Sequence, residues 1–153
     1  MHCVPRQPAS LEAWRGWRFV FRIAIEGEAA GLAARDRDAE GLRRVEDALV
    51  ALDQIILGDE LGVEEDIAFH RAVAEATGNR FFAETIAALR TQIAVGIRLN
   101  RNLSLVQPRT RIIGGQEEHR LVFEAIAAQD EAGARQAMRQ HIENARRRVF
   151  EGG

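Results

Sequence analysis

An all-α, antiparallel bundle of six or seven helices is the fold this chain predicts, and three observations carry it. Ala, Leu, Glu and Arg dominate the composition, all strong helix formers, while Tyr is absent. No proline interrupts the chain between Pro8 and Pro108. Apolar residues recur at three- and four-residue spacing in one segment after another. At 153 residues, with 46% apolar and 29% charged side chains, the chain matches a single domain with a sizeable core.

Ser10, after two early prolines, reads as the N-cap of a long first helix over LEAWRGWRFVFRIAIEGEAAGLAAR, with Val20, Ile23, Gly27, Ala30 and Ala34 at helical spacing. Asp36 or Asp38 opens a second, whose stripe is Leu42, Val45, Leu49, Leu52 and Ile56, and Gly58 ends it. A third covers about Val63 to Ala76 and stops at Thr77-Gly78. Asn79 caps a fourth, long helix marked by Phe82, Ile86, Leu89, Ile93 and Ile97. Residues 102–108 form the least regular connection and end in Pro108. The fifth helix aligns Ile112, Gln116, His119, Phe123 and Ile126, with Gly114-Gly115 placed to kink or delay it. QDEAG at 129–133 makes a tight break, and Ala134, Met138, His141, Ala145 and Val149 mark the sixth. Short connections between so many helices imply antiparallel neighbours.

Several classes of protein are disfavoured at once. A net charge of −2 gives no global attraction for nucleic acid. The single cysteine, Cys3, allows neither an internal disulfide nor a cysteine-based zinc site. No run reaches the ~18 apolar residues a membrane span needs, and MHCVPRQPAS is too polar for a signal peptide. These features set a cytoplasmic protein, with no membrane partner, as the default.

Two apolar stripes carry a histidine where a hydrophobe is expected. His119 and His141 each lie eleven residues from Asp130, the middle of the turn between their helices. Equal distances from the turn of an antiparallel hairpin put both at one height on inward faces. In EDIAFHRAVAEATGN, at 65–79, Asp66 and His70 share a helix face at i,i+4. A third helix bringing that pair inward completes a cluster of one carboxylate and three imidazoles, a donor set for a divalent ion such as Zn²⁺, Ni²⁺ or Mn²⁺. The alternative is plainer: a solvated Asp66 in the acidic run DELGVEED, and core histidines satisfied by ordinary hydrogen bonds.

From about Phe21 to Phe150 the chain resembles the FCD effector-binding domain of GntR-family, FadR-like bacterial regulators. FRIAIEGEAAGLAAR is similar to the family's R-x-x-x-E-x-x-A start, and DIAFHRAVAEATGN to its D-x-x-F-H segment with a Gly-Asn break. EEHRLVFEAIAAQDEAGARQAMRQHI is similar to its E-H segment, acidic turn and distal histidine. The resemblance implies a helical bundle with an interior cavity for a small metabolite, often an organic acid. It also implies metal binding by Asp66, His70, His119 and His141, and a homodimer. Arg22 matches an arginine that commonly faces the effector, a guanidinium suited to gripping a carboxylate; its plainer use is pairing with Glu26. Arg98 and Asn102 are further cavity candidates.

The expected domain spans residues 19–151, with 1–18 as an N-terminal extension or interdomain segment. GntR regulators read DNA through a winged helix-turn-helix domain before the bundle, and the roughly twenty residues here are too few for one. An isolated effector domain, a reading frame begun late and a standalone sensor all fit, and this chain by itself is expected not to bind an operator. Arg146, Arg147 and Arg148 read as solvated charges favouring a helix C-terminus. The competing function is a metal-dependent hydrolase or lyase acting on a small carboxylate. Glu118, roughly 100° around the helix from His119, is a poor base for that ion, and the sensor is preferred.

Overall fold

A computed structural model describes residues 11–57, 62–105 and 110–150, with side chains within 16–55, 62–98 and 113–150. Ser10, Gly58 and Pro108, and the side chains of Ile56, Asn102 and Ile112, lie outside these. Among the described residues seven helices follow in order: α1 Leu11–Asp36, α2 Ala39–Leu57, α3 Val63–Glu75, α4 Arg80–Ala88, α5 Arg90–Leu105, α6 Thr110–Ala127 and α7 Glu131–Phe150. No strand occurs among the described residues.

The boundaries have local causes. Asp38 caps α2 by accepting from the Gly41 N–H at 2.6 Å. Gly62 enters α3 in the left-handed region (φ 56°), its carbonyl taking the Asp66 N–H at 3.0 Å. Asn79 caps α4 as expected, its side chain accepting from Phe81 N–H at 3.1 Å. Asp130 caps α7 through the Gly133 N–H at 2.9 Å.

Two expectations change. The long fourth helix is two, α4 and α5, divided at Leu89 (φ −86°, ψ 0°) with neither Gly nor Pro at the break. The apolar stripe Ile86, Ile93, Ile97 continues through it buried. The division lets α4 lie on α3 while α5 spans α3 and α7. Conversely, α6 runs unbroken through Gly114-Gly115.

α3 is buried on three sides, which explains its lack of a clean amphipathic pattern. Phe69, Ala72 and Val73 join a core shared with α1, α2, α6 and α7, including Ala30, Ala33, Val45, Val122, Ile126, Met138 and Ile142. Val63, Ile67 and Ala74 join a second core with Ile86, Ile93 and Ile97. Asp66 and His70 occupy the remaining side, also buried. α1 and α7 form the most extensive helix pair. Arg135 and Arg139 of α7 lie across Gly31 and Gly27 of α1, and both reach Glu28, at 2.9 and 2.7 Å.

The inward face of α1 keeps Gly27, Ala30 and Ala34, with Ile23 packed on the core, but departs from the apolar periodicity toward the start of the helix. Val20 is exposed, whereas Phe19, Arg22, Glu26, Ala29, Ala30 and Ala33 are buried. Two polar residues belong to the true stripe, and a hydrophobic pattern skips them.

Candidate metal centre

The bundle brings His70 from α3, His119 from α6 and His141 from α7 together. One ring nitrogen from each lies within 4.8 Å of the other two. The His119 and His141 ring centroids are 4.2 Å apart, and His70 stacks on His141 at 5.3 Å. Asp66 stands beside them, its Oδ1 3.3 Å from His70 Nε2 and 3.7 Å from His119 Nε2. Phe69, fully buried, backs the cluster with its ring edge-on to His119, centroids 4.9 Å apart. All four ligand candidates are thus one constellation.

Two further carboxylates reach the cluster from outside. Glu26 of α1 sets Oε2 2.6 Å from His70 Nδ1, and Arg22, one turn earlier on α1, holds Glu26 through Nε at 2.5 Å. Glu118 of α6 sets Oε2 3.0 Å from His141 Nδ1. Arg148 grips both Glu118 oxygens, at 2.9 and 3.0 Å, and the Asn144 amide donates to Oε1 at 2.8 Å. Glu118 therefore does point away from the cluster's centre, but onto the back of a neighbouring imidazole. Arg148 is bound to it rather than solvated, while Arg146 and Arg147 pair with Glu143.

The protonation of these groups follows from their neighbours. Burial opposes charge on His70, but the Glu26 carboxylate and the bond to Asp66 outweigh it and raise the imidazole to about 9. Burial also opposes charge on Glu26, and Arg22 and His70 overcome it, lowering the carboxyl to about 2. Glu118 likewise reaches about 2, burial being outweighed by His141 and Arg148. Burial, then the neighbouring His119, pushes His141 down to about 3 despite Glu118.

The donors fit a divalent cation. Three imidazoles and one carboxylate are a borderline-hard set suited to Zn²⁺, Ni²⁺ or Mn²⁺. Two of the rings have their other nitrogen on a carboxylate, the usual outer support of a metal-bound histidine. Ligands around an ion at ~2.1 Å stand about 3.0–3.4 Å apart, so the cluster would close by up to roughly 1.8 Å to hold one.

Arg22 and Arg98 differ. Arg22 is buried against Glu26 and, with Asp66, His141, Phe19, Gly96 and Ile97, lines a cavity of about 20 Å³ beside the cluster. Arg98 is exposed and does not join it. The Asn102 side chain is among those not described. Sequence reading weighed Glu118 only as a base for the ion, not as a partner of His141, and treated Glu26 only as a competitor for Arg22. The signal for Glu26 was present in the R-x-x-x-E spacing; Glu118 had none, because Arg148 lies thirty residues away.

The sequence relatives of this helical bundle define its class. The chain belongs to the FCD domain family, which matches residues 18–144. It is similar to the HTH-type transcriptional regulator LutR of Bacillus subtilis, 32% identical over 123 residues, covering 80% of this chain and 56% of LutR. It is 28% identical over 135 residues to the Uxu operon transcriptional regulator of Escherichia coli, covering 85% and 51%. A putative L-lactate dehydrogenase operon regulatory protein of E. coli is 29% identical over 125 residues, covering 79% and 46%. Among solved structures, Streptococcus agalactiae GntR aligns with TM-score 0.74 at 20% identity, over 92% of this chain and 61% of that one. E. coli McbR/YncC aligns with TM-score 0.73 at 18% identity, over 97% and 72%. The chain spans about half the length of the sequence relatives. These relatives are transcriptional regulators and not enzymes, which favours the sensor over the hydrolase or lyase. No helix among the described residues is long and apolar enough to cross a membrane.

Proposed function

We propose that residues 19–151 form the effector-sensing and dimerisation domain of a GntR-family transcriptional regulator of the cytoplasm, binding a divalent metal and a small organic acid. One observation carries the reading: three buried imidazoles converge beside Asp66, with no apolar residue where the stripes of α6 and α7 call for one. A bound metal would supply a Lewis-acidic point for a carboxylate. Asp66, His70, His119 and His141 hold it, and Arg22 offers the adjacent cation. Its Nε and Nη2 face Glu26, leaving Nη1 for an incoming carboxylate oxygen.

A small acid suits this site better than a long acyl chain. The cavity of about 20 Å³ accommodates little more than one water molecule. Effector entry must therefore enlarge it, and that displacement is the raw material of a sensor. One relative is named for an L-lactate dehydrogenase operon, and lactate is an acid of this small size. DNA contact in such a regulator belongs to a winged helix-turn-helix domain rather than to this bundle.

Metal content by mass spectrometry on untagged protein, purified without chelators, tests the reading. We expect about one equivalent in the parent and loss in His119→Ala and His141→Ala. No metal after incubation with Zn²⁺, Ni²⁺ and Mn²⁺ overturns it. Dimerisation is supported by the exposed Trp17, Val20 and Phe21 of α1, beside an apolar groove of about 360 Å³ that also takes in Leu89 and Ile93. Light scattering at tens of micromolar is expected to give twice the chain mass; a monomer counts against it.

A further inference from the structure

We propose that Glu118 is a positioning residue: clamped by Arg148 and Asn144, it holds His141 as the Nδ1–H tautomer and so turns the other ring nitrogen, Nε2, toward His70 and His119. The use of that nitrogen as a metal ligand rests on the reading above; the tautomer assignment does not.

Donors and acceptors fix the tautomer. An ionised carboxylate only accepts hydrogen bonds. With Glu118 Oε2 at 3.0 Å, His141 Nδ1 must carry the hydrogen, which leaves Nε2 as the lone-pair nitrogen of a neutral ring. Glu118 is in turn fully occupied. Arg148 binds Oε1 and Oε2 in a fork, and Asn144 donates to Oε1, so both oxygens are fixed in place by α7. His141, Asn144 and Arg148 lie at i, i+3 and i+7, along one stripe of that helix. The clamp therefore carries the ring's orientation on α6, while the ring itself hangs from α7. A residue that merely fastened α6 to α7 would need Arg148 alone; the contact to Nδ1 adds nothing to that task.

The test uses the metal-free and the Zn²⁺-loaded forms of the whole chain. In metal-free protein labelled with ¹⁵N-histidine at pH 7.5, long-range ¹H–¹⁵N spectra are expected to show His141 as Nδ1–H in the parent. Glu118→Ala should shift it toward Nε2–H, and Glu118→Gln, which keeps an acceptor oxygen, should restore the parent pattern. Zn²⁺ affinity, by competition with a chromophoric chelator, should fall about 10–100-fold in Glu118→Ala and remain within a few-fold of the parent in Glu118→Gln. An Nε2–H tautomer in the parent overturns the assignment even if Glu118→Ala fails to fold. So does an unchanged tautomer or unchanged Zn²⁺ affinity in a folded Glu118→Ala. A parent that binds no Zn²⁺ defeats the metal reading instead, and the spectra alone then decide the role of Glu118.

Discussion

Glu26 and Glu118 do the same thing in two different settings. Each places a carboxylate oxygen on the Nδ1 of a clustered histidine, and each is held by an arginine. Yet His70 is driven up to about 9 and His141 down to about 3. Both rings are buried, so burial does not set the difference. His70 is bonded by two carboxylates, Glu26 first and Asp66 on its far edge, while His141 has Glu118 as its one bonded carboxylate and is opposed by burial and then by His119. The carboxylates that reach a buried imidazole, weighed against the imidazoles beside it, decide whether it is charged. The two supports also differ in depth, Glu26 being 2% exposed and Glu118 17% in its side chain.

That contrast is broken most forcefully at the carboxylates. Glu26→Ala strands Arg22 and His70 in the interior and should cost about 3–5 kcal/mol, the usual penalty for halving a buried ion pair. Glu118→Ala, nearer the surface, should cost about 1–3 kcal/mol. Urea unfolding of the metal-free proteins compares them directly, and equal losses would contradict the difference in depth.

The arginines come next. Arg22→Met leaves Glu26 with His70 as its remaining counter-charge and should lose about 2–3 kcal/mol. Arg148→Met leaves Glu118 its contacts with Asn144 and His141 and should lose about 1 kcal/mol. Thermal midpoints of the two variants would rank them, and the reverse order would sink the comparison.

The gentlest probe is pH. Glu26 and Glu118, lowered from 4.5 to about 2, contribute stability that is present above pH ~4.5 and lost as pH falls through about 2. Neutral His141 adds to the same acid limb, its contribution present above pH ~6.5 and lost toward 3. His70 works oppositely: raised from 6.5 to about 9, its contribution is present below pH ~6.5 and lost as pH rises through 9. Stability of the metal-free protein should therefore peak near pH 6–7. Glu26→Gln should flatten the alkaline limb and Glu118→Gln should leave that limb in place; an alkaline limb that survives Glu26→Gln would refute the assignment to His70.

The same two residues mark how far the sequence could be read. The stripes of α2, α6 and α7 were visible because their buried faces are apolar except at one or two positions, and those exceptions, His119 and His141, announced the centre. On α1 the buried face includes Arg22 and Glu26, so apolar periodicity chose Val20, which is exposed. The division at Leu89 left no trace, since it answers to where α3 and α7 lie rather than to any breaker residue. Gly114-Gly115 was a breaker by composition, but α6 holds through it under tertiary packing. Glu118 does point away from the cluster's centre, as its helical angle implied, but that angle could not show its partner, a ring on the next helix.

One feature of α1 has mechanical weight. Glu26 sits against His70 midway along an unbroken helix that begins at Leu11. Fifteen residues separate the two, a rigid arm of about 22 Å. A tilt of about 5° pivoting at Glu26 swings the far end by about 2 Å. A tilt too small to notice at the histidines would thus displace the beginning of α1 by about the radius of a methyl group.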